Sequence, residues 1–116
     1  MSDTLHSLSY VSRSRLGGTP EELAVELEAI VKSARARNAL LGVTGALLYS
    51  GGCFEQVIEG DRASVESIFE SVSTDRRHFD VTIVHYAPIQ QRSFDGWPMA
   101  FSGDGSLPPG HPLLGT

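Results

Sequence analysis

The chain has 116 residues, of which 41% are hydrophobic, and its 9 basic and 14 acidic side chains give a formal net charge of -5. A chain of this length forms one domain with its own core and has no room for a second. The acidic balance argues against nucleic-acid or membrane-surface binding, because both depend on clustered basic side chains. Cys53 is the single cysteine, and no apolar run is typical of a signal peptide or membrane span. We therefore expect a cytoplasmic protein.

The first predicted elements are a strand and a helix. Apolar alternation predicts a strand over residues 5–12, with Tyr10 on the same face as its apolar neighbours. Thr19 and Glu22 form the T-x-x-E pattern of a capping box, so a helix begins there. The apolar stripe of this helix, continued by four residues, ends on the polar Asn38.

A hairpin is predicted next, over residues 43–60. The paired glycines at 51–52 supply the positive φ that a tight turn requires. In the second strand of the hairpin, alternation places Phe54, Gln56 and Ile58 on the buried face and Glu55 and Glu59 on the other face.

The remaining pattern completes one sheet. Asp61 caps a second helix over residues 62–75, and strands are predicted over residues 81–88 and 96–101. The order predicts an α+β fold, a ferredoxin-like βαββαβ(β) sheet with two helices on one face. We expect the domain to cover residues 1–101 and residues 102–116 to form an extended tail, because they show no periodicity.

Three polar residues fall on the face of the sheet that is turned toward the helices, namely Tyr10, Asn38 and Gln56. Each has an ordinary explanation: Tyr10 as a core residue, Asn38 as a helix C-cap, and Gln56 bonding to a neighbouring backbone. Together they indicate a planar ligand between the helices, because a buried amide without partners costs about 1–3 kcal/mol.

The sequence also carries motifs of a known family. They are Tyr10 in the first strand, N-x-x-x-G-x-T-G at 38–45, F-x-Q-x-x-E-G at 54–60 and D-x-R-H at 75–78. On these motifs the chain resembles the BLUF domain, the blue-light sensor that uses flavin, over residues 5–101. The family's fold is the one already predicted from the pattern, with the flavin ring held between the helices.

The resemblance implies a role for each matching residue. Gln56 would bridge the Tyr10 hydroxyl and the N5/C4-carbonyl edge of the flavin, and Asn38 would hold the pyrimidine edge. Arg77 and His78 would lie by the flavin. Apolar positions that line the ring in the family are matched by Ile30, Leu47 and Phe54. Arg37 and Ala34 stand where some relatives carry histidine and serine, which leaves the second polar contact of that helix open.

The same resemblance implies a photoreceptor rather than an enzyme. Light would make Gln56 rotate or tautomerise, which shifts the flavin absorption to the red until the dark state returns. Trp97 and Met99, placed on the last strand, match positions proposed to exchange beside Gln56; Trp97 as an ordinary core residue stays open. The cofactor would be FAD, with FMN or riboflavin as alternatives. We expect a homo-oligomer or a downstream protein partner.

Other function classes are less well supported. The four histidines and one cysteine show no metal-ligand spacing, and there is no G-x-G-x-x-G or Walker pattern. The central strand carries two glutamates instead of the aromatic and basic residues of an RNA-recognition strand. Two alternatives remain: a flavin-free interaction or small-ligand regulatory domain, and a sensory fragment of a light-regulated nucleotide cyclase or phosphodiesterase.

Overall fold

The protein alternates strands and helices in the order βαββαββ. The structure is a computed structural model and describes residues 4–103. Its elements are β1 (Leu5–Ser14), α1 (Pro20–Leu41), β2 (Thr44–Ser50), β3 (Cys53–Asp61), α2 (Arg62–Ser73), β4 (His78–Pro88) and β5 (Ala100–Gly103).

The strands form one mixed sheet in the order β4-β1-β3-β2-β5. The first four strands in this order pair antiparallel, and β5 runs parallel to β2 at the edge. Both helices pack on the same side of the sheet, which we name the inner face; the opposite side is the outer face. The predicted α+β ferredoxin-like sheet is therefore confirmed, with β5 as the additional strand.

The helix boundaries follow from their caps. The Thr19 hydroxyl accepts from the N–H of Glu22 at 3.1 Å, and the Glu22 carboxylate accepts from the N–H of Thr19, as the capping box predicts. Helix α1 continues to Leu41 because Gly42, at φ 67°, supplies the left-handed C-cap. Asn38 consequently lies inside the helix and is not its cap.

Strand boundaries differ most from the sequence pattern near the end of the chain. The last strand is Ala100–Gly103 and not 96–101, so Trp97 and Met99 precede it. Pro98 has no N–H to donate to a ladder. Strand β4 begins at His78, three residues before the predicted start. Residues 104–116 lie outside the described residues, so the predicted tail stays a prediction.

Two buried clusters form the core on the inner face. The first, the α1 core, joins α1 to β2, β3 and β5, and consists of Leu27, Val31, Ala34, Leu47, Tyr49, Phe54, Met99 and Phe101. The second, the α2 core, joins α2 to β1 and β3, and consists of Leu8, Tyr10, Val43, Ile58, Val65 and Ile68. Within residues 4–103, neither helix is long and apolar enough to cross a membrane.

Candidate functional site

A phenol and an amide are paired at the centre of the sheet. Tyr10 of β1 lies directly opposite Gln56 of β3 in the antiparallel register, and both side chains are only 3% exposed. The Tyr10 hydroxyl donates a hydrogen bond to Oε1 of Gln56. Burial raises the pKa of Tyr10 well above its ordinary value, so the phenol is protonated at neutral pH.

The other end of the Gln56 amide has a poor partner. Its Nε2 donates to the sulfur of Met99 at 4.0 Å, and a thioether is a weak acceptor. A buried amide nitrogen with two N–H groups is therefore under-partnered at this position. Gln56 thus offers hydrogen-bond donors to a ligand.

These residues line a cleft between the α1 core and the α2 core. The cleft contains about 530 Å³ of empty space, which includes its open mouth. Its walls combine apolar residues from α1, β2 and β3 with the polar pair at the base. The predicted residues that line it are Tyr10, Ile30, Leu47, Phe54, Gln56, Arg77, His78 and Met99.

Charged side chains surround the cleft as well. Nε of Arg77 donates to the Asp75 carboxylate at 2.9 Å, and this bond lowers the pKa of Asp75 and raises that of Arg77. Arg37 approaches from α1, where partial burial lowers its pKa. Arg77 is thus paired with a carboxylate at the cleft, while its side chain remains 49% exposed.

His78 is fixed by two protein partners. Its Nε2 lies 2.6 Å from the carbonyl oxygen of Val72, which can only accept, so Nε2 carries the proton. Its Nδ1 lies 2.7 Å from the hydroxyl of Ser12. Because both ring nitrogens are engaged, His78 contributes ring surface to the cleft, and its ring also lies 6.0 Å from that of Tyr10.

Asn38 is buried but is not among the residues that line the cleft. Its Nδ2 donates to the carbonyl of Pro98 at 2.8 Å, and its Oδ1 accepts a long bond of 3.4 Å from Arg37. Arg35, on the same helix, donates to the carbonyl of Met99 at 2.8 Å. Both side chains therefore hold the segment before β5 against α1.

Met99 and Trp97 occupy different faces of the sheet. Met99 is 1% exposed and contacts Gln56, whereas Trp97 is 42% exposed and lies on the outer face near Leu48 and Val57. In this structure Met99 is thus the neighbour of Gln56.

Sequence reasoning missed several residues of the cleft and its surroundings. Ser33 and Val72 line the cleft. Ser33 follows Ile30 at helical spacing, which would have indicated its position, and Val72 lies on the face of α2 that the apolar pattern already turns inward. Glu59 lies on the outer face, as alternation predicts, yet it is only 1% exposed. Alternation could not reveal that a later segment covers it.

Comparison with known proteins shows which family the chain is similar to. The family model "BLUF: Sensors of blue-light using FAD" matches residues 5–100. Photoactivated adenylate cyclase subunit beta of Euglena longa is 40% identical over 91 residues, which are 78% of this chain and 10% of that protein. The chain thus spans about a tenth of the length of such curated relatives.

Two solved structures share the fold. The dark state of the BLUF protein BlrB has a TM-score of 0.81 and 38% identity, covering 87% of this chain and 74% of that one. Klebsiella pneumoniae BlrP1 with FMN and cyclic diGMP has a TM-score of 0.76 and 35% identity, covering 85% of this chain and 26% of that one.

Fold and site together define a small α+β sensor domain with a ligand cleft between two helices. The chain belongs to the BLUF family, and it is a blue-light sensor domain that binds flavin. The cleft fits a flavin, because its apolar walls can pack against a planar ring and the under-partnered amide of Gln56 can bond to the polar edge of that ring.

Proposed function

We propose that this domain detects blue light through a non-covalent flavin in the cleft and signals by a reversible rearrangement of the Tyr10–Gln56 pair. The observation that carries this proposal is the Gln56 amide, which is bonded to a phenol at one end and poorly partnered at the other. When bound, a flavin supplies absorption of blue light and, once excited, the power to oxidise a nearby phenol.

The side chains that would hold the flavin differ in how they act. Ile30, Leu47 and Phe54 would pack against the ring. Asn38 would hold the pyrimidine edge through Oδ1, which accepts only a long bond of 3.4 Å from Arg37, because Nδ2 is engaged with Pro98. Arg77 would add a charge at the mouth.

We propose FAD as the cofactor, in line with the family description, and FMN or riboflavin as alternatives. The neighbour from Klebsiella pneumoniae was solved with FMN, which keeps that alternative open. His78 would pack against the ring through its carbon edge, since its two nitrogens are bonded to protein.

Tyr10 and Gln56 would form the photoactive pair. A protonated phenol can release an electron and a proton and then regain both, so no net change remains on Tyr10. If the Gln56 amide rotates meanwhile, Nε2 faces the phenol oxygen, which can accept, and Oε1 faces the cleft. Tautomerisation of the amide would give a similar exchange of donor and acceptor.

The rearrangement of Gln56 would be transmitted to the protein surface by the segment that contains Met99 and Trp97. One hydrogen bond contributes about 0.5–1.5 kcal/mol, which shifts a two-state equilibrium about tenfold, so the output must already be poised between two conformations. We propose that the domain has no catalytic activity of its own and acts in the cytoplasm. It would regulate a second copy, a separate protein or an attached enzymatic unit, as the names of its cyclase relatives suggest.

The test is a light-minus-dark absorption spectrum of the purified full chain. We expect a yellow protein whose flavin bands shift to the red under blue light and return in darkness, and chromatography of the released chromophore would distinguish FAD, FMN and riboflavin. A colourless protein that does not bind added flavin would favour the flavin-free interaction domain. Affinity capture in darkness and under illumination would then identify the partner.

A further inference from the structure

A buried carboxylate on the outer face has no role in the cleft. Glu59 of β3 is 1% exposed, although it lies three residues after Gln56 and points to the opposite side of the sheet. Its oxygens accept from the backbone N–H of Ser93 at 2.8 Å, the N–H of Phe94 at 3.0 Å and the hydroxyl of Thr44 at 3.0 Å.

The guanidinium of Arg92 also bonds to the residues around Glu59. Arg92 donates to the Thr44 hydroxyl at 2.9 Å and to the backbone carbonyl of Glu59 at 3.2 Å. A carboxylate that accepts several hydrogen bonds is a strong anchor, because each bond to a charged group is stronger than a neutral one. Glu59 therefore fixes the loop at residues 92–94 to strands β2 and β3.

This loop leads directly to Met99. Between them, the carbonyl of Trp97 accepts from the N–H of Gly45 at 3.0 Å, and the N–H of Trp97 donates to the carbonyl of Phe94 at 2.9 Å. The segment 93–99 is thus held at its start by Glu59 and at its end by α1. Met99 at its end is the residue that contacts the Gln56 amide.

We propose that Glu59 is a positioning residue for the light response, because it fixes the segment that holds Met99 against Gln56. This inference rests on the proposed function. Rotation of the buried amide breaks the contact between Nε2 and the Met99 sulfur, so the firmness with which the segment holds Met99 there contributes to the barrier between the two arrangements. Glu59 thereby sets the rate of dark recovery without touching the flavin.

The test compares E59Q with a matched control, E55Q, in the full chain. Glu55 lies on the same strand and the same face but is exposed, so both variants remove one charge. A glutamine at position 59 cannot accept at both ends, and at least one backbone N–H of the loop loses its partner. We expect E59Q to recover in darkness at least about threefold faster than E55Q, with equal flavin content.

Trp97 supplies a second readout, because it is the single tryptophan of the chain and belongs to the held segment. We expect its emission in E59Q to shift to the red and to be quenched more by acrylamide. Should E59Q not fold, R92Q leaves the carboxylate in place and loosens the same loop; it should accelerate recovery in the same direction but less.

The outcomes separate the two proposals. Recovery in E59Q within a factor of about two of E55Q, or slower, overturns the role of Glu59 while the photocycle itself stands. A lower melting temperature with unchanged recovery likewise shows a structural role alone. If the unsubstituted protein shows no reversible red shift, the proposed function fails, and the Trp97 emission then tests whether Glu59 holds the segment.

Discussion

Gln56 and Glu59 are both buried polar residues of β3, three positions apart and on opposite faces of the sheet. The carboxylate of Glu59 accepts three hydrogen bonds from the residues around it. The amide of Gln56 has one good partner, Tyr10, and one weak partner, the sulfur of Met99. The two side chains are thus similarly buried, but only Glu59 has good protein partners for both of its polar atoms.

The difference separates a binding position from an anchor. A buried polar group whose partners are complete makes its surroundings rigid, whereas one with a missing partner favours a ligand or a second arrangement. In the mechanism we propose, the inner face therefore carries the group that rearranges, and the outer face carries the group that holds the connecting segment in place. A switch needs a group that rearranges and rigid surroundings, because in flexible surroundings the rearrangement would not produce a defined change in the neighbouring segment.

Replacement of Gln56 or Glu59 by leucine should have the largest effects on the photocycle and on stability, respectively. Gln56→Leu should bind flavin and abolish the reversible red shift, because leucine offers no donor and acceptor to exchange. Glu59→Leu should lower the free energy of unfolding by about 2–4 kcal/mol, because three donors lose their acceptor. Urea unfolding and a light-minus-dark spectrum of both variants check these expectations.

Gln56→Leu should thus affect the photocycle, whereas Glu59→Leu should affect stability. Gln56→Leu should retain or even gain stability provided that the Tyr10 hydroxyl, which loses its acceptor, bonds to water or backbone instead, since the change also removes an under-partnered buried amide. A normal difference spectrum in that variant would eliminate the glutamine switch, even if flavin binding stands. Unchanged unfolding of Glu59→Leu would show that the outer face is not anchored by this carboxylate.

Tyr10→Phe removes the one strong hydrogen-bond partner of Gln56. The ring volume stays, so we expect flavin binding to persist, but the light-induced red shift should be lost with the hydroxyl. The Gln56 oxygen loses its donor, and stability should fall by about 1–2 kcal/mol. Transient absorption with flavin quantification measures both effects. Formation of the red-shifted state with normal yield would contradict the role of Tyr10 as electron donor.

The inner face could be predicted largely from sequence. Alternation in the strands placed Tyr10 and Gln56 toward the helices, and the capping box set the start of α1. These signals are local, because they depend on the period of one element and on residues within one turn. The end of α1 at Leu41 could not be predicted from the apolar stripe, because it depends on the left-handed conformation of Gly42.

The outer face could not be predicted in the same way. Alternation states which face Glu59 occupies but not which distant residues cover that face, and the covering segment has no periodicity. For the same reason the positions of Trp97 and Met99 were assigned to one strand, although they precede β5 and lie on different faces. The acceptor of the Asn38 amide nitrogen could not be predicted either, since it is the backbone carbonyl of Pro98 in that segment.

Trp97→Ala should have a smaller effect than the changes above. Because Trp97 is 42% exposed, we expect the free energy of unfolding to fall by about 1–2 kcal/mol, below the roughly 3–5 kcal/mol of a fully buried aromatic truncation. The red shift should persist, because it arises on the inner face, while dark recovery or partner binding changes. Thermal unfolding beside the photocycle tests this, and a loss of folding would show that Trp97 is a core residue.

The smallest expected effect concerns Asp75, at the mouth of the cleft. Hydrogen bonds from Arg77 hold the pKa of Asp75 below its ordinary 3.8, so the folded protein keeps this carboxylate ionised at a lower pH than the unfolded chain does. The resulting stabilisation is complete above about pH 5 and is lost as the pH falls through the lowered pKa. It is modest, because the pair is partly exposed to solvent.

Asp75→Asn should therefore lower stability slightly at pH 6 and by less near pH 3, because the stabilisation is lost as the pH falls through the lowered pKa of Asp75. Urea unfolding at both pH values measures this convergence. Arg77→Gln provides the reciprocal control, because removal of the partner should flatten the same part of the pH profile, and the double variant should add little further. A stability difference that grows toward low pH would show that the Asp75–Arg77 pair does not stabilise the folded state.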